Sequence, residues 1–169
     1  VRDQLTGLYN RQGFEKNMQE WGREKGPNKV IIYIDLDNFK YYNDNFGHEL
    51  GDYVLVHVAQ VLKNVVENVG YAVRYGGDEF VLVLNEKDVQ FGKTVVQSIF
   101  NKLENEVLTS IQEKIGEQHI IPEEKRLTAS VGIAECKERS AIAEALSNAD
   151  KALYSVKKST KNNFVVWGE

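Results

Sequence analysis

Three carboxylates are set apart by their surroundings. Asp35 lies between Ile34 and Leu36 in an apolar run, and Asp78 and Glu79 sit in a Gly-Gly-Asp-Glu turn between two further apolar segments. An aspartate in an apolar run is costly to bury unless something positive compensates it. Carboxylates carried to neighbouring strand ends make a hard-oxygen site suited to Mg2+ or Mn2+; magnesium takes one or two carboxylates and fills its shell with water and substrate phosphate oxygens. Two such ions about 4 Å apart stabilise the attacking and leaving oxygens of a phosphoryl displacement. The same residues also suit plainer roles, Asp78-Glu79 solvating a tight turn and Asp35 capping a strand. Spacing alone does not pair the two segments, so these residues allow a metal and phosphate site without requiring one.

The elements that must position them follow from periodicity. Asn10 is placed to cap a helix carrying Phe14, Met18 and Trp21, ending near Gly26-Pro27. Val30 to Leu36 reads as a buried central strand closed by Asp35, followed by a polar loop. A second helix places Leu50, Val54, Val58, Val61 and Val65 on one face. Tyr71 to Tyr75 and Phe80 to Leu84 form a hairpin around Gly76-Gly77-Asp78-Glu79, with the glycines expected at positive φ. A third helix carries Phe91, Val95, Ile99, Leu103 and Val107, and Thr109 to Lys125 is a polar stretch of ambiguous structure, read as a local insertion. Leu127 to Ala134 alternates as a strand, Ile142 to Val156 is the last helix, and Phe164 to Trp167 the last strand. Helices alternating with strands predict an α/β fold, and the hairpin makes its central sheet mixed and flanked by helices.

Composition narrows the function classes. The chain has 169 residues, 42% of them hydrophobic, which suits one domain spanning 1–169. Lysine plus arginine total 21 against 25 acids, a balance that argues against general nucleic-acid binding, which shows a basic footprint. The single cysteine, Cys136, excludes an intrachain disulfide and reads as a buried, inert thiol. No run of about 18 apolar residues predicts a membrane span, so membrane contact by this stretch is not expected. The chain opens on Val1 without methionine, as an excised domain of a larger protein does, and a cytoplasmic setting is expected, including that of the cytoplasmic part of a membrane-bound parent.

The motifs themselves are more specific. Arg74-Tyr75-Gly76-Gly77-Asp78-Glu79-Phe80 resembles the signature hairpin of GGDEF domains, the catalytic modules of bacterial diguanylate cyclases. Asp3-Gln4-Leu5-Thr6-Gly7-Leu8-Tyr9-Asn10-Arg11 resembles that family's N-terminal segment, and Asp35-Leu36-Asp37-Asn38-Phe39-Lys40 its D-x-D-x-F-K loop. Asn43-Asp44, Phe46-Gly47-His48 and Gly51-Asp52 follow at the family's spacing, and Ala149-Asp150-Lys151-Ala152-Leu153-Tyr154 is similar to its last helix. The resemblance implies a polymerase-palm-like, nucleotidyl-cyclase-like fold. It implies that two GTP molecules, one on each protomer of a two-fold homodimer, condense to cyclic di-GMP and pyrophosphate. By position, Asp35, the Leu36 carbonyl, Asp78 and Glu79 would serve two Mg2+ or Mn2+ ions, with Asp78 also helping to deprotonate the attacking hydroxyl. The amides of Phe39 and Lys40 would face the β- and γ-phosphates, with Lys40 and Lys157 neutralising charge there. Asn43 and Asp52 would read guanine, because a carboxylate accepts from its N1–H and amino group and adenine has no N1 donor. His48 would lie beside the nucleotide. Without the family, Asn43 also suits a loop or cap and Asp52 a first-turn acid. Tyr41 and Tyr42 are packing residues first, and His57 and His119 belong to no motif.

Two departures carry expectations. The R-x-x-D that in relatives precedes the hairpin and binds product is here Glu67 to Gly70, so no inhibitory product site of that kind is expected. After the last helix, Val156-Lys157-Lys158-Ser159-Thr160-Lys161-Asn162 places Thr160 and Lys161 where the family has glycine and arginine. Lys161 keeps the charge and loses the planar fork, so weaker GTP binding is expected. An upstream sensor or dimerisation domain is expected to bring protomers together. The competing readings are a GTP-binding regulatory module acting through a partner domain, and a polymerase palm, for which the chain lacks room for template-binding elements.

Overall fold

The computed structural model describes residues 1–21, 28–137 and 142–169; the expected helix end near Gly26-Pro27 lies outside these. Helix α1 spans Arg11–Trp21, strand β1 Lys29–Asp37, α2 Phe39–Phe46, α3 His48–Val65, β2 Gly70–Arg74, β3 Glu79–Asn85, α4 Val89–Lys102, α5 Leu108–Ile115, β4 Thr128–Cys136, α6 Ile142–Lys157 and β5 Asn163–Val166. One mixed sheet has the order β2-β3-β1-β4-β5. Its first three contacts are antiparallel, and β5 runs parallel to β4.

β1 is central because it is apolar on both faces. Val30, Ile32, Ile34 and Leu36 join the core shared with α3 and α4, while Ile31 and Tyr33 join the core shared with α1 and α6. Each fully buried aliphatic side chain there contributes about 1.5–3 kcal/mol relative to exposure. Asn10 caps α1 as expected, its Oδ1 accepting from the Gly13 amide at 2.9 Å, and Phe14, Met18 and Trp21 are buried.

Three expectations are corrected and one open stretch is resolved. β1 does not close at Asp35 but continues to Asp37, pairing Asp35 with Glu79 on one side and Ser130 on the other. The segment expected as a polar loop forms α2, held by Tyr42, whose ring is wholly buried and whose hydroxyl donates to the Lys125 carbonyl at 2.8 Å. The stretch left ambiguous begins as helix: a π turn over Leu103–Val107 leads into α5, with Ile111 buried. The hairpin glycines do not adopt positive φ. Gly76 is needed for space instead, since a Cβ there would sit 2.6 Å from the Glu79 carboxylate folded over the turn.

Helix α6 lies unusually close to the sheet at Gly132 of β4, where a Cβ would overlap the Ala149 carbonyl and come within 2.5 Å of the Leu153 nitrogen. Both obstacles are backbone and cannot rotate away. Gly132→Ala is therefore expected to lose about 2–3 kcal/mol of stability, read from the midpoint of urea unfolding; an unchanged midpoint would show that α6 can lift without cost.

Candidate active site

The C-terminal end of β1 and the hairpin before β3 come together because β1 and β3 pair in register, with Asp35 opposite Glu79 and the Leu36 amide donating to the Asp78 carbonyl at 3.2 Å. The hairpin is fixed from behind. Arg74 donates through Nε and Nη2 to the Gly77 carbonyl at 3.1 and 2.9 Å, and through Nη1 to both oxygens of Asp3 at 3.2 Å. Asp3 also accepts from the Thr6 amide and hydroxyl. Burial works against its charge, but these hydrogen bonds and the Arg74 guanidinium win and hold it below its ordinary value. The N-terminal motif thus serves as the brace of the Gly-Gly-Asp-Glu turn.

On the other side, Asp37 is wholly buried and has a full set of donors. Thr128 Oγ1 and Ser130 Oγ reach it at 2.7 Å each, Lys157 Nζ at 2.8 Å, and the Asn162 amide at 2.9 Å. Burial would raise its pKa; the bonds from Lys157, Thr128 and Ser130 lower it below the ordinary carboxylate range. Lys157 also donates to the Leu36 carbonyl at 3.2 Å and lies 3.7 Å from Asp35. After α6, Lys161 and Asn162 both take left-handed φ, at 53° and 44°, which turns the Asn162 amide onto Asp37. Thr160 does not share that conformation, so its departure from glycine introduces no backbone strain.

Asp35 is the exposed-side counterpart of Asp37. Burial pushes it up to about 6; Lys157 works against this, and Asp78, Glu79 and Asp37 add to it. Glu79 is likewise raised, by burial, Asp78 and Asp150, against Arg11 and Lys157. Burial is the larger cause in both, with the neighbouring carboxylates adding to it. Among the described residues no three His, Cys, Asp or Glu side chains are grouped to hold a metal ion by themselves. The donor set therefore fits an ion that completes its shell with substrate oxygens and water, as Mg2+ does, and not a protein-only cage.

A cleft of about 580 Å³ opens over these residues, lined by Asp35, Leu36, Phe39, Lys40, Asp78, Lys157 and Lys161 from the expected set, and also by Asn38 and Lys125. Asn38, in left-handed conformation at φ 67°, precedes α2, whose first amides have no intrahelical acceptor. Lys40 is exposed and pairs with Asp44 at 2.6 Å. Asn43, His48, Asp52 and Glu79 do not line this cleft. Asn43 lies on α2 about 6 Å along the axis from Phe39, its side chain packed on Gly51, where a Cβ would overlap its Oδ1. Asp52 follows, exposed, one turn inside α3, and His48 opens that helix, exposed. Tyr41 packs edge-on against Tyr42 and Phe46, and His57 and His119 pack against Tyr53 and Phe46. Sequence reasoning did not assign roles to Asp37, Asp3, Arg74 or Lys125. The first three stand inside the quoted motifs, but nothing in a single sequence shows the pairing of Asp3 with Arg74 or of Asp37 with Lys157.

A family model described as diguanylate cyclase, GGDEF domain, matches residues 1–163. Among curated relatives, diguanylate cyclase VdcA of Vibrio cholerae is 30% identical over 160 residues, covering 95% of this chain and 45% of that protein. Diguanylate cyclase DosC of Escherichia coli is 32% identical over 169 residues, covering 98% of this chain and 35% of that one. The chain thus spans less than half the length of either. Among solved structures, SiaD of Pseudomonas aeruginosa, in complex with its activator SiaC, superposes with a TM-score of 0.81 at 27% identity, over 98% of this chain and 61% of that one. The coiled coil and GGDEF domain of DgcB from Caulobacter crescentus, in complex with c-di-GMP, superposes with a TM-score of 0.78 at 25% identity, over 98% and 85%.

Removing the Asp37 carboxylate strands a half-buried ammonium and several donors. Asp37→Ala is expected to cost about 3 kcal/mol at pH 7, measured by urea unfolding. Because the folded pKa of Asp37 is depressed below 3.8, its contribution is present above that value and is lost as pH falls through the folded one. The gap between wild type and variant is expected to hold down to pH 3.8 and to narrow below it; a gap constant to lower pH would contradict the ionised carboxylate.

Proposed function

The chain belongs to the GGDEF domain family, and from that premise we propose that it condenses two GTP molecules into cyclic di-GMP and pyrophosphate. The observation that carries this reading is the cleft in which Asp35 and Asp78 face four lysines, with Asn43 and Asp52 adjoining along α2 and α3. A triphosphate seated there runs from the base readers at the C-terminal end of α2 to the amides at its N-terminal end.

Asp52 and Asn43 accept and donate at the guanine edge, and a nucleotide without the N1 donor leaves Asp52 unpaired, which disfavours it. The first-turn amides of α2 and the lysine ammonium groups hold the β- and γ-phosphates and stabilise the charge that gathers on pyrophosphate as it leaves. Asp35, the Leu36 carbonyl, Asp78 and Glu79 would hold Mg2+ or Mn2+, which when bound polarises the phosphate oxygens and stabilises attacking and leaving oxygens. Asp78, at the open tip of the hairpin, takes the proton of the 3′-hydroxyl that attacks the α-phosphate of the second nucleotide. The bond from that oxygen to phosphorus forms as the α–β bridging bond breaks, and two such steps close the ring.

One protomer holds one nucleotide, so two must meet face to face. The presence of a coiled coil beside the DgcB domain and of an activator on SiaD supports the view that flanking segments set the effective concentration of protomers. Among the described residues no helix is long and apolar enough to cross a membrane. With GTP as substrate, the site works where GTP is made, in the cytoplasm.

The test is direct. Incubated at high concentration with GTP and Mg2+, and also fused to a dimerising coiled coil, the wild-type chain is expected to form cyclic di-GMP detectable by mass, and Asp78→Ala to form it about a hundredfold more slowly or less. If the fused wild type makes none, the cyclase reading fails and the GTP-binding regulatory module becomes the better reading.

A further inference from the structure

The four lysines of the cleft are not equivalent. Lys157 is fixed on Asp37 and the Leu36 carbonyl, and three other donors hold the same Asp37, so its ammonium belongs to the scaffold as much as to the cleft. Lys40 pairs with Asp44 on the next turn of α2, and both side chains are largely exposed, so that pair exchanges easily. Lys125 and Lys161 have no carboxylate within ion-pair distance among the described residues. Two residues that line the cleft therefore carry ammonium groups without a carboxylate partner.

Lys125 comes from the stretch that sequence reasoning left without a role, yet its backbone is held firmly. The buried Tyr42 hydroxyl donates to its carbonyl at 2.8 Å. Asn38 Nδ2 donates to the carbonyls on either side, Glu124 at 3.1 Å and Arg126 at 2.8 Å, and the Lys125 amide closes on Pro122 at 2.9 Å. Asn38 is also the residue that leads into α2. One side chain thus ties the turn bearing Lys125 to the amides at the start of α2. The backbone is anchored, and the side chain is exposed and unpaired at the end of α2 opposite to Asn43 and Asp52.

We propose that Lys125 is a binding residue for the terminal phosphates of the nucleotide, acting with Lys161, so that two separate ammonium groups do what a single forked side chain at position 161 would do. The proposal rests on the GTP reading of this same cleft. A terminal phosphate of a nucleotide carries more than one negative charge at neutral pH, and a cleft with Asp35, Asp44 and Asp78 on its walls needs uncommitted cations to hold it. Affinity is then set by the number of phosphates, and Lys125 acts on triphosphates and not on monophosphates.

Calorimetric titration of wild type, Lys125→Gln, Lys125→Arg and, as a control on net charge, Lys63→Gln separates the alternatives. The probes are a GTP analogue with a methylene α–β bridge, GMP, and inorganic tripolyphosphate. Lys125→Gln is expected to weaken the analogue and tripolyphosphate about fivefold and leave GMP unchanged; Lys125→Arg restores both, and Lys63→Gln matches wild type. Unchanged affinity in Lys125→Gln for analogue and tripolyphosphate, an equal loss for GMP, or an equal loss in Lys63→Gln overturns the proposal. A wild type that binds tripolyphosphate but not the analogue refutes the guanine-nucleotide reading, while Lys125 is still judged on tripolyphosphate. A wild type that binds neither overturns both.

Discussion

A carboxylate without access to water has to be given its hydrogen bonds by the protein, and Asp37 receives them from three elements at once. Thr128 and Ser130 come from the neighbouring strand, Lys157 from the end of α6, and the Asn162 amide from the turn beyond. Left unpaired, such a charge costs several kcal/mol, so the three elements cannot drift apart independently. Asp35 lies two residues earlier on the same face of β1, and its environment is set by where Asp37 puts Lys157. The balance of charge in the cleft therefore follows from a residue buried behind it.

The hairpin side obeys the same logic with different parts. Asp3 and Arg74 form a partly buried pair whose spare donors end on the Gly77 carbonyl, one residue before Asp78. Gly76 leaves room for the Glu79 carboxylate to fold over the turn. Two braced segments then present Asp35 and Asp78 toward one opening, where burial, with Asp78, Glu79 and Asp37 adding to it against Lys157, raises Asp35. The ion pairs at the back are tight and hydrogen-bonded, whereas among the described residues Asp35 at the front has only the longer Lys157 contact at 3.7 Å.

Much of this was legible in the sequence. The apolar run of β1, the helical faces of α1, α3 and α6, and the hairpin follow from periodicity and capping, and the mixed sheet from their order. α2 was not legible because Tyr41-Tyr42-Asn43-Asp44-Asn45 has poor helix formers and one buried side chain, Tyr42, whose anchor is 83 residues away. The hairpin glycines were misread because a need for space and a need for positive φ leave the same letter in the sequence. Asp37 meets Lys157 across 120 positions and Asp3 meets Arg74 across 71; a single sequence holds no record of such pairs. Lys125 was hidden for the same reason, carried to the cleft by hydrogen bonds to its neighbours' carbonyls and not by any local pattern.

The most direct measurement is a crystal of this chain grown with Mn2+ and a GTP analogue carrying a methylene α–β bridge, with the cation located by its anomalous scattering. The account predicts a manganese peak between Asp35 and Asp78, phosphates over Phe39 and Lys40, and guanine against Asn43 and Asp52. Manganese or nucleotide bound elsewhere, with the cleft left to solvent, would contradict it.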